Sequence, residues 1–324
     1  MTLLISDIHR RFDSRYPFLE DLKDEALCYI LENYGNKSDY VFDAGDTFDK
    51  RMFDVELALR QVKIYRECLH DISRFYCLLG NHDASQRAVS PMSIFAEGTK
   101  CGKNSMAIVG KEPVRVGPYV LRGWDSNFEF PQSDARYLVS HIRITEWAKS
   151  AEKAFSVAEL DTLPFDRILC GDNHTPGEKG KVISIGTLCP SDFKDEGIEA
   201  GAVWFDEDHN TFECIKIPNY PIFRKLVVTP ETVEPEESWI KGNIVRVEFK
   251  GHQKWITESL KRRWQLAIWA RQPRSFEFGQ DYYIGETKVQ QAVSSLSVEQ
   301  RYEATAAALG WDETVAEVGR KALA

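Results

Sequence analysis

Thr2-Leu3-Leu4-Ile5-Ser6-Asp7-Ile8-His9 decides how the rest of the chain is read: an apolar run passes straight into a polar Asp-x-His segment. A short apolar run that stops at polar residues predicts a buried strand whose carboxyl end delivers side chains to a site. The same grammar recurs twice. Tyr40 to Ala44 leads into Gly45-Asp46-Thr47-Phe48-Asp49, and Phe75 to Leu79 leads into Gly80-Asn81-His82-Asp83. Between these runs, Pro17 to Glu32 carries Phe18, Leu19, Leu22, Ala26, Leu27, Ile30 and Leu31 at helical spacing, and Phe53 to Leu69 predicts a second helix. Strands alternating with helices predict an α/β layered core.

Farther on, strand-like runs dominate: Val114 to Arg122, Arg136 to Ser140, Arg167 to Cys170, Val182 to Ile185, Ala202 to Phe205 and Thr211 to Ile217. The expected fold class is α/β, a two-sheet β-sandwich core flanked by helices, with a smaller C-terminal α+β capping domain. The texture changes around Pro218 to Pro221, after which Ile244 to Phe249 alternates like a strand and Ile256 to Ala270 has an amphipathic helical pattern. Ser297-Val298-Glu299-Gln300 has the form of a capping box opening a last helical segment. The expected domains are residues 1–221, 222–296 and, as terminal helices, 297–324.

The chain of 324 residues is 43% hydrophobic, enough for a full core, and no stretch approaches the roughly 20 apolar residues of a membrane span. The polar motif begins by Ser6, too early for a signal peptide. Seven cysteines without CxxC spacing, with Cys28, Cys68, Cys77 and Cys170 in apolar stretches, predict buried thiols and a cytoplasmic protein. The net charge of −9 does not exclude a polyanionic substrate, because divalent cations held in a site supply positive charge where a phosphate sits.

Five polar clusters carry the chemistry: Asp7-Ile8-His9, Gly45 to Asp49, Gly80 to Asp83, His141, and Gly171-Asp172-Asn173-His174. Taken singly, each has an ordinary reading: a Gly-Asp turn, a solvated Asn-His-Asp loop, a satisfied core histidine. Their recurrence at strand ends is what points to a metal site. Asp, Asn and His are hard oxygen and borderline nitrogen donors, suited to manganese, iron or zinc. Two cations about 3.5–4 Å apart need a carboxylate able to bridge them and several terminal ligands, and this set contains both.

The order DxH, GD, GNHD, H, GxxH resembles the calcineurin-like metallophosphoesterases over about residues 3 to 217. The resemblance implies that Asp7, His9 and His174 hold one metal, that Asn81 and His141 hold the other, and that Asp46 bridges both. His82 would face the scissile phosphate as the general acid, with Asp83 orienting its imidazole. The implied cofactors are two divalent ions, Mn2+ as the first expectation, with Mg2+, Fe2+ or Zn2+ as alternatives. One position departs from the pattern. The last motif is usually Gly-His-x-His, so Asp172 stands where a second-metal histidine is expected, and its carboxylate would favour a hard cation.

Three segments resemble the SbcD-type (Mre-type) DNA repair and recombination nuclease subunits, including those of bacteriophages. Gly45 to Asp49 is similar to their GD-hydrophobic-FD segment. Ser184-Ile185-Gly186-Thr187-Leu188-Cys189-Pro190-Ser191-Asp192-Phe193 is similar to their Gly-Ser/Thr turn and Asp-Phe. Asn243 to Phe249 looks like a strand of their small DNA-capping domain. The resemblance implies a manganese-dependent DNA exonuclease and endonuclease, working as a homodimer with an SbcC-type coiled-coil ATPase and without a membrane. Arg10, Arg11, Asp49, Arg87 and Arg143 are the expected DNA-contacting residues. The rival readings are a phosphodiesterase or phosphatase acting on small molecules and a catalytically impaired scaffold subunit.

Overall fold

The structure is a computed structural model and describes residues 1–49, 55–83, 106–148, 154–251 and 254–283. The chain divides into two units, Met1–Arg224 and Lys225–Ala324. In chain order the first unit holds β1 (Thr2–Ile5), α1 (Leu19–Asn33), β2 (Tyr40–Asp43), α2 (Val55–Cys68), β3 (Phe75–Leu78) and β4 (Ala107–Val109). There follow β5 (Val114–Val116), β6 (Tyr119–Arg122), β7 (Tyr137–His141), α3 (Val157–Leu160), β8 (Arg167–Gly171), β9 (Gly177–Lys179), β10 (Val182–Ser184), β11 (Gly201–Asp206) and β12 (Thr211–Lys216).

These strands form two six-stranded sheets, ordered β12-β11-β1-β2-β3-β4 and β5-β6-β7-β8-β10-β9. The strands β1 to β4 run parallel, as do β6, β7, β8 and β10, while β11 turns back antiparallel against β1. Side chains alternate across each strand, so one buried cluster fills the space between the sheets and others cover the outer faces. Leu4, Phe42, Leu78, Leu121, Val139, Leu169 and Val203 belong to the inner cluster. Leu3, Ile5, Val41 and Cys77 join Leu27, Ile30, Val62 and Tyr65 of the two long helices. Val120, Leu138, Ile168 and Val182 make the outer cluster of the second sheet. Burial on both faces explains why the central strands are continuous apolar runs rather than alternating ones. Each such side chain contributes about 1.5–3 kcal/mol by leaving water. The α/β two-sheet fold class expected from the sequence is the one observed.

Two details differ from expectation. The run Val114 to Arg122 is a hairpin, β5 and β6, rather than one strand. Gly117 breaks it with φ +52, and a Cβ there would meet the Tyr40 hydroxyl at 2.6 Å. The edge strands β4 and β9 carry too few residues, and in β9 too little apolar character, to show a period.

The strand β13 (Phe223–Val228) carries the chain past Arg224 into the second unit, which holds α4 (Glu237–Ile240), β14 (Ile244–Gly251), α5 (Glu258–Trp269), β15 (Ser275–Phe278) and β16 (Tyr282–Tyr283). Its sheet runs β13-β14-β15, with β16 beside β14. Val228, Ile240, Val245, Val247, Phe249, Trp264 and Ile268 form its core. Thr257 caps α5 by accepting a hydrogen bond from the Leu260 amide at 3.2 Å. The expected terminal helices over 297–324 lie outside the described residues.

Candidate metal centre

Parallel strands in register bring their carboxyl ends together, and the loops leaving them turn sharply enough to reverse side chains into one place. Asp7, His9, Asp46 and Asp172 all adopt positive φ, between 48 and 73 degrees. Such backbones are uncommon for residues with a Cβ and cluster at functional sites. Gly45 and Gly80 let two of these loops cross: a Cβ on Gly45 would lie 2.9 Å from the Gly80 backbone, and one on Gly80 would strike the Asp46 backbone and carboxylate. The Gly-Asp and Gly-Asn sequences are therefore one interlocked contact. Amide to carbonyl hydrogen bonds of 2.9 Å from Asp7 to Gly45 and from His9 to Asp46 fix the first loop against the second.

The result is three overlapping groups of potential ligands: Asp7 with His9 and His174, Asp7 with Asp46 and His141, and His9 with Asp46 and His82. Asp7 Oδ1 is buried, finds no hydrogen-bond donor among the described residues, and lies 3.7 Å from Nε2 of both His9 and His174. The two imidazoles face each other with Nε2 atoms 3.1 Å apart. Asp46 Oδ2 looks both ways, 3.9 Å from His9 Nε2 and 3.4 Å from His141 Nε2. The Asn81 amide oxygen faces the same His141 nitrogen at 3.0 Å; only with the amide turned over does its NH2 reach His141 and Asp46.

Tautomers agree with ligation. His141 Nδ1 lies 2.7 Å from the Ala44 carbonyl and His174 Nδ1 lies 2.5 Å from Asp195 Oδ1, so each ring donates on its Nδ1 side and turns Nε2 inward. Holding an imidazole from its far nitrogen is how proteins orient a metal ligand. Asp195 had no place in the sequence-based site, although it lies just past the Ser191-Asp192-Phe193 segment. Its second oxygen accepts from the Ser191 amide at 3.1 Å.

The electrostatics of the pocket favour cations. Burial pushes Asp7 up to about 6 and His9 down to about 3. Burial alone would also raise Asp46, but His141, His9 and His82 outweigh it and hold the carboxyl well below its ordinary value. At His174 burial is outweighed by Asp195 and Asp7, which raise it to about 9, and Asp46 and Asp7 likewise raise His141 well above its ordinary value. The field that draws protons to these ring nitrogens also draws cations, and the two compete for the same lone pairs. The donor set of carboxylates, amide oxygen and imidazoles, with an orphaned carboxylate oxygen at its centre, fits divalent metal.

The remaining expected residues separate. His82 lines the cleft with its side chain 24% exposed, its amide donating to Asp46 Oδ1 at 2.8 Å. The carboxylate beside its imidazole is Asp49, 3.4 Å from Nδ1. This corrects the expected Asp83 contact: Asp83 is buried, with its two oxygens accepting from the amides of Thr47, Phe48 and Gly80, and so ties the second and third loops together. Asp49 also pairs with Arg11 at 3.2 Å and lines the cleft. Arg10 is corrected as well. It is 1% exposed and engaged with Glu20, Asp24 and Gln61, a buried strut out of reach of any phosphate. Arg11 and Arg143 do line the cleft. Asp172 lies 3.8 Å from His141 Nε2 but gives both oxygens to Arg143. Arg87 lies outside the described residues.

The sequence profile of the calcineurin-like phosphoesterases matches residues 2–217. No curated protein matches the chain. Among solved structures, an archaeal phosphodiesterase is 14% identical over 66% of this chain and 98% of its own, with a TM-score of 0.38. A predicted phosphoesterase from Streptococcus pneumoniae TIGR4 is 17% identical over 62% and 79%, with a TM-score of 0.26. A cold-active protein-tyrosine phosphatase from a psychrophilic Shewanella species is 13% identical over 66% and 80%, with a TM-score of 0.33. The profile match spans two thirds of the chain, from β1 to just past β12, and takes in every loop of the metal centre. The chain belongs to the calcineurin-like phosphoesterases, a family of metal-dependent phosphoester hydrolases with a dinuclear site.

Proposed function

We propose that this hydrolase is a manganese-dependent DNA nuclease acting in break repair or recombination in the cytoplasm, as a homodimer working with an SbcC-type ATPase. The observation that carries the reading is the wall of the metal cleft, where Arg11, Arg143 and Lys194 stand beside His9, Asp46 and His174. These three cations stand among five carboxylates, Asp46, Asp49, Asp172, Asp192 and Asp195, so the positive charge a phosphodiester would meet comes from bound divalent ions together with Arg11, Arg143 and Lys194. The similarity of Gly45 to Asp49 and Ser184 to Phe193 to SbcD-type segments gives the substrate its identity. Both segments contribute cleft residues, Asp46 and Asp49 from one and Ser191 and Asp192 from the other. A second unit with its own sheet and core suits a polymeric substrate better than a small one.

In this reading Asp7, His9 and His174 hold one cation, Asn81 and His141 the other, and Asp46 both. Bound cations supply an activated water and neutralise charge on the phosphoryl group. Arg143 and Arg11 position the phosphate, exchanging part of their pairing with Asp172 and Asp49 for its oxygens. His82 gives a proton to the departing sugar oxygen, its imidazolium stabilised by Asp49. The even mixture of oxygen and nitrogen donors accommodates manganese. Digestion of end-labelled linear duplex DNA with manganese, beside a mononucleotide control and Asp46→Ala, tests the reading. DNA cleavage lost in the variant supports it; hydrolysis of mononucleotides alone refutes it.

A further inference from the structure

A cavity of about 640 Å³ shares Asp172 and Arg143 with the metal cleft and reaches the ligand candidate Asn81. Its walls are aromatic in a way the chemistry at phosphorus does not require, with Trp124, Phe128 and Phe155 contributing and Asn127 adding a polar edge. Phe128 and Phe155 are braced rather than loose. They pack with Phe130 as an edge-to-face cluster with ring centroids 4.9 to 5.9 Å apart, and the Arg122 guanidinium lies 4.7 Å from the Phe128 ring. Trp124 is tied to the metal loop itself: its amide donates to the carbonyl of Leu79 at 2.6 Å, one residue before Gly80-Asn81. Gly123 permits that approach, since a Cβ there would lie 2.6 to 3.0 Å from the carbonyl oxygens of Val109, Gly110 and Leu79. The aromatic wall therefore stands in fixed register with the loop that carries the ligand candidate Asn81.

We infer that this cavity receives one unpaired nucleobase of the nucleotide next to the scissile phosphodiester. The inference rests on the nuclease reading and deepens it. The volume falls within the usual range for a small-ligand site, about 300–1,000 Å³. Aromatic faces hold any base by stacking, so the site suits an enzyme that must cut irrespective of sequence. A base still stacked and paired in a duplex cannot enter a walled cavity; it has to leave the helix. The enzyme so equipped prefers frayed ends and single strands, and the energy of stacking draws the terminal nucleotide out of the pair.

The test compares single-stranded oligonucleotides that carry either ordinary nucleotides or an abasic tetrahydrofuran unit on one or other side of the cleaved bond. Wild-type protein should cut the abasic substrate about 10- to 100-fold more slowly on one side, and Trp124→Ala should bring the two rates together. Phe128→Leu gives the same reading should Trp124→Ala fail to fold. Equal wild-type rates, or a ratio untouched in the folded variant, overturn the inference. If the wild type cleaves no DNA, the nuclease reading fails on its own. The cavity is then decided by saturation-transfer NMR with adenosine and thymidine: binding that Trp124→Ala weakens tenfold supports a nucleobase site, and no binding to wild type refutes it.

Discussion

Arg143 and Asp172 form a two-pronged ion pair at the mouth of the metal centre, with Nε 2.8 Å from Oδ2 and Nη2 3.1 Å from Oδ1. Asp172 is the residue that departs from the Gly-His-x-His pattern, and Arg143 lies two residues past His141. The extra negative charge of the departure is thus met by a guanidinium, and a carboxylate held this way reaches a cation only by giving up part of that pairing.

Removing Arg143 should separate the two demands on Asp172. In Arg143→Ala the carboxylate is released toward His141 Nε2, now 3.8 Å away. Metal affinity measured by calorimetry should hold or improve, while KM for a phosphodiester should rise about tenfold or more, the cost of a charge-assisted contact being about 1.5–3 kcal/mol. Asp172→Ala should raise the metal concentration needed for activity, and Asp172→His should restore it. Metal binding unchanged in all three variants would take Asp172 out of the second site.

Asp195 should matter nearly as much as a ligand. It holds His174 from behind at 2.5 Å, and loss of such an orienting carboxylate costs about 10- to 100-fold in metal affinity. Asp195→Ala should show this loss in competition with a chelator while its thermal unfolding with saturating metal stays near that of wild type. Wild-type affinity in the variant would mean that packing alone orients the ring.

Metal affinity should climb with pH. A cation must displace protons from His141, raised well above its ordinary value, and from His174, raised to about 9, and below about 6 also from Asp7, whereas His9 is already neutral above about 3. Affinity is thus lowest in acid, rises most steeply below pH 6, and keeps rising until both histidines are neutral. The metal-free fold responds in the opposite sense through Asp7 and Asp83, pushed up by burial to about 6 and about 7 from an ordinary value of 3.8. Their stabilisation is complete below pH 3.8 and disappears as pH rises through 6 to 7, so bound metal should raise Tm more at pH 8 than at pH 5. Chelator competition and melting curves across that range measure both slopes.

The strands were legible because burial on both faces makes each a run of apolar residues with a polar stop, as at Ile5 and Asp7 or Leu78 and Asn81. That the candidate ligands would gather in one place was legible for the same reason, since a parallel strand must release its chain at the sheet end where the site forms. What the sequence hid were contacts made across long separations. Nothing local distinguishes Arg10, buried against Glu20 and Asp24, from Arg11, which lines the cleft. Asp83 sits next to His82 yet serves the backbone, and Asp49, 33 residues away, takes the place beside the imidazole. Sequence adjacency is a poor guide there because consecutive side chains in a tight turn leave in different directions.

His82 offers the sharpest test of the chemistry. Its neighbour Asn81 turns toward His141, so the His82 ring is carried to the cleft wall, where its edge meets His9 with centroids 4.9 Å apart. An imidazole can release a proton near neutral pH, and a positioned general acid contributes about 10²- to 10⁴-fold. The alkoxide leaving from a DNA sugar needs that proton; nitrophenolate, a far weaker base, does not. His82→Gln should retain its metals yet lose at least 100-fold more activity on DNA than on a nitrophenyl phosphodiester. Asp49→Asn should show the same selectivity more weakly, because it removes the carboxylate that stabilises the imidazolium and leaves the ring in place. Metal content measured on the same preparations separates this from ligation, since His82 also lies within reach of His9 and Asp46. Equal losses on the two substrates, with metals intact, would mean that His82 binds the phosphate rather than protonating the leaving group.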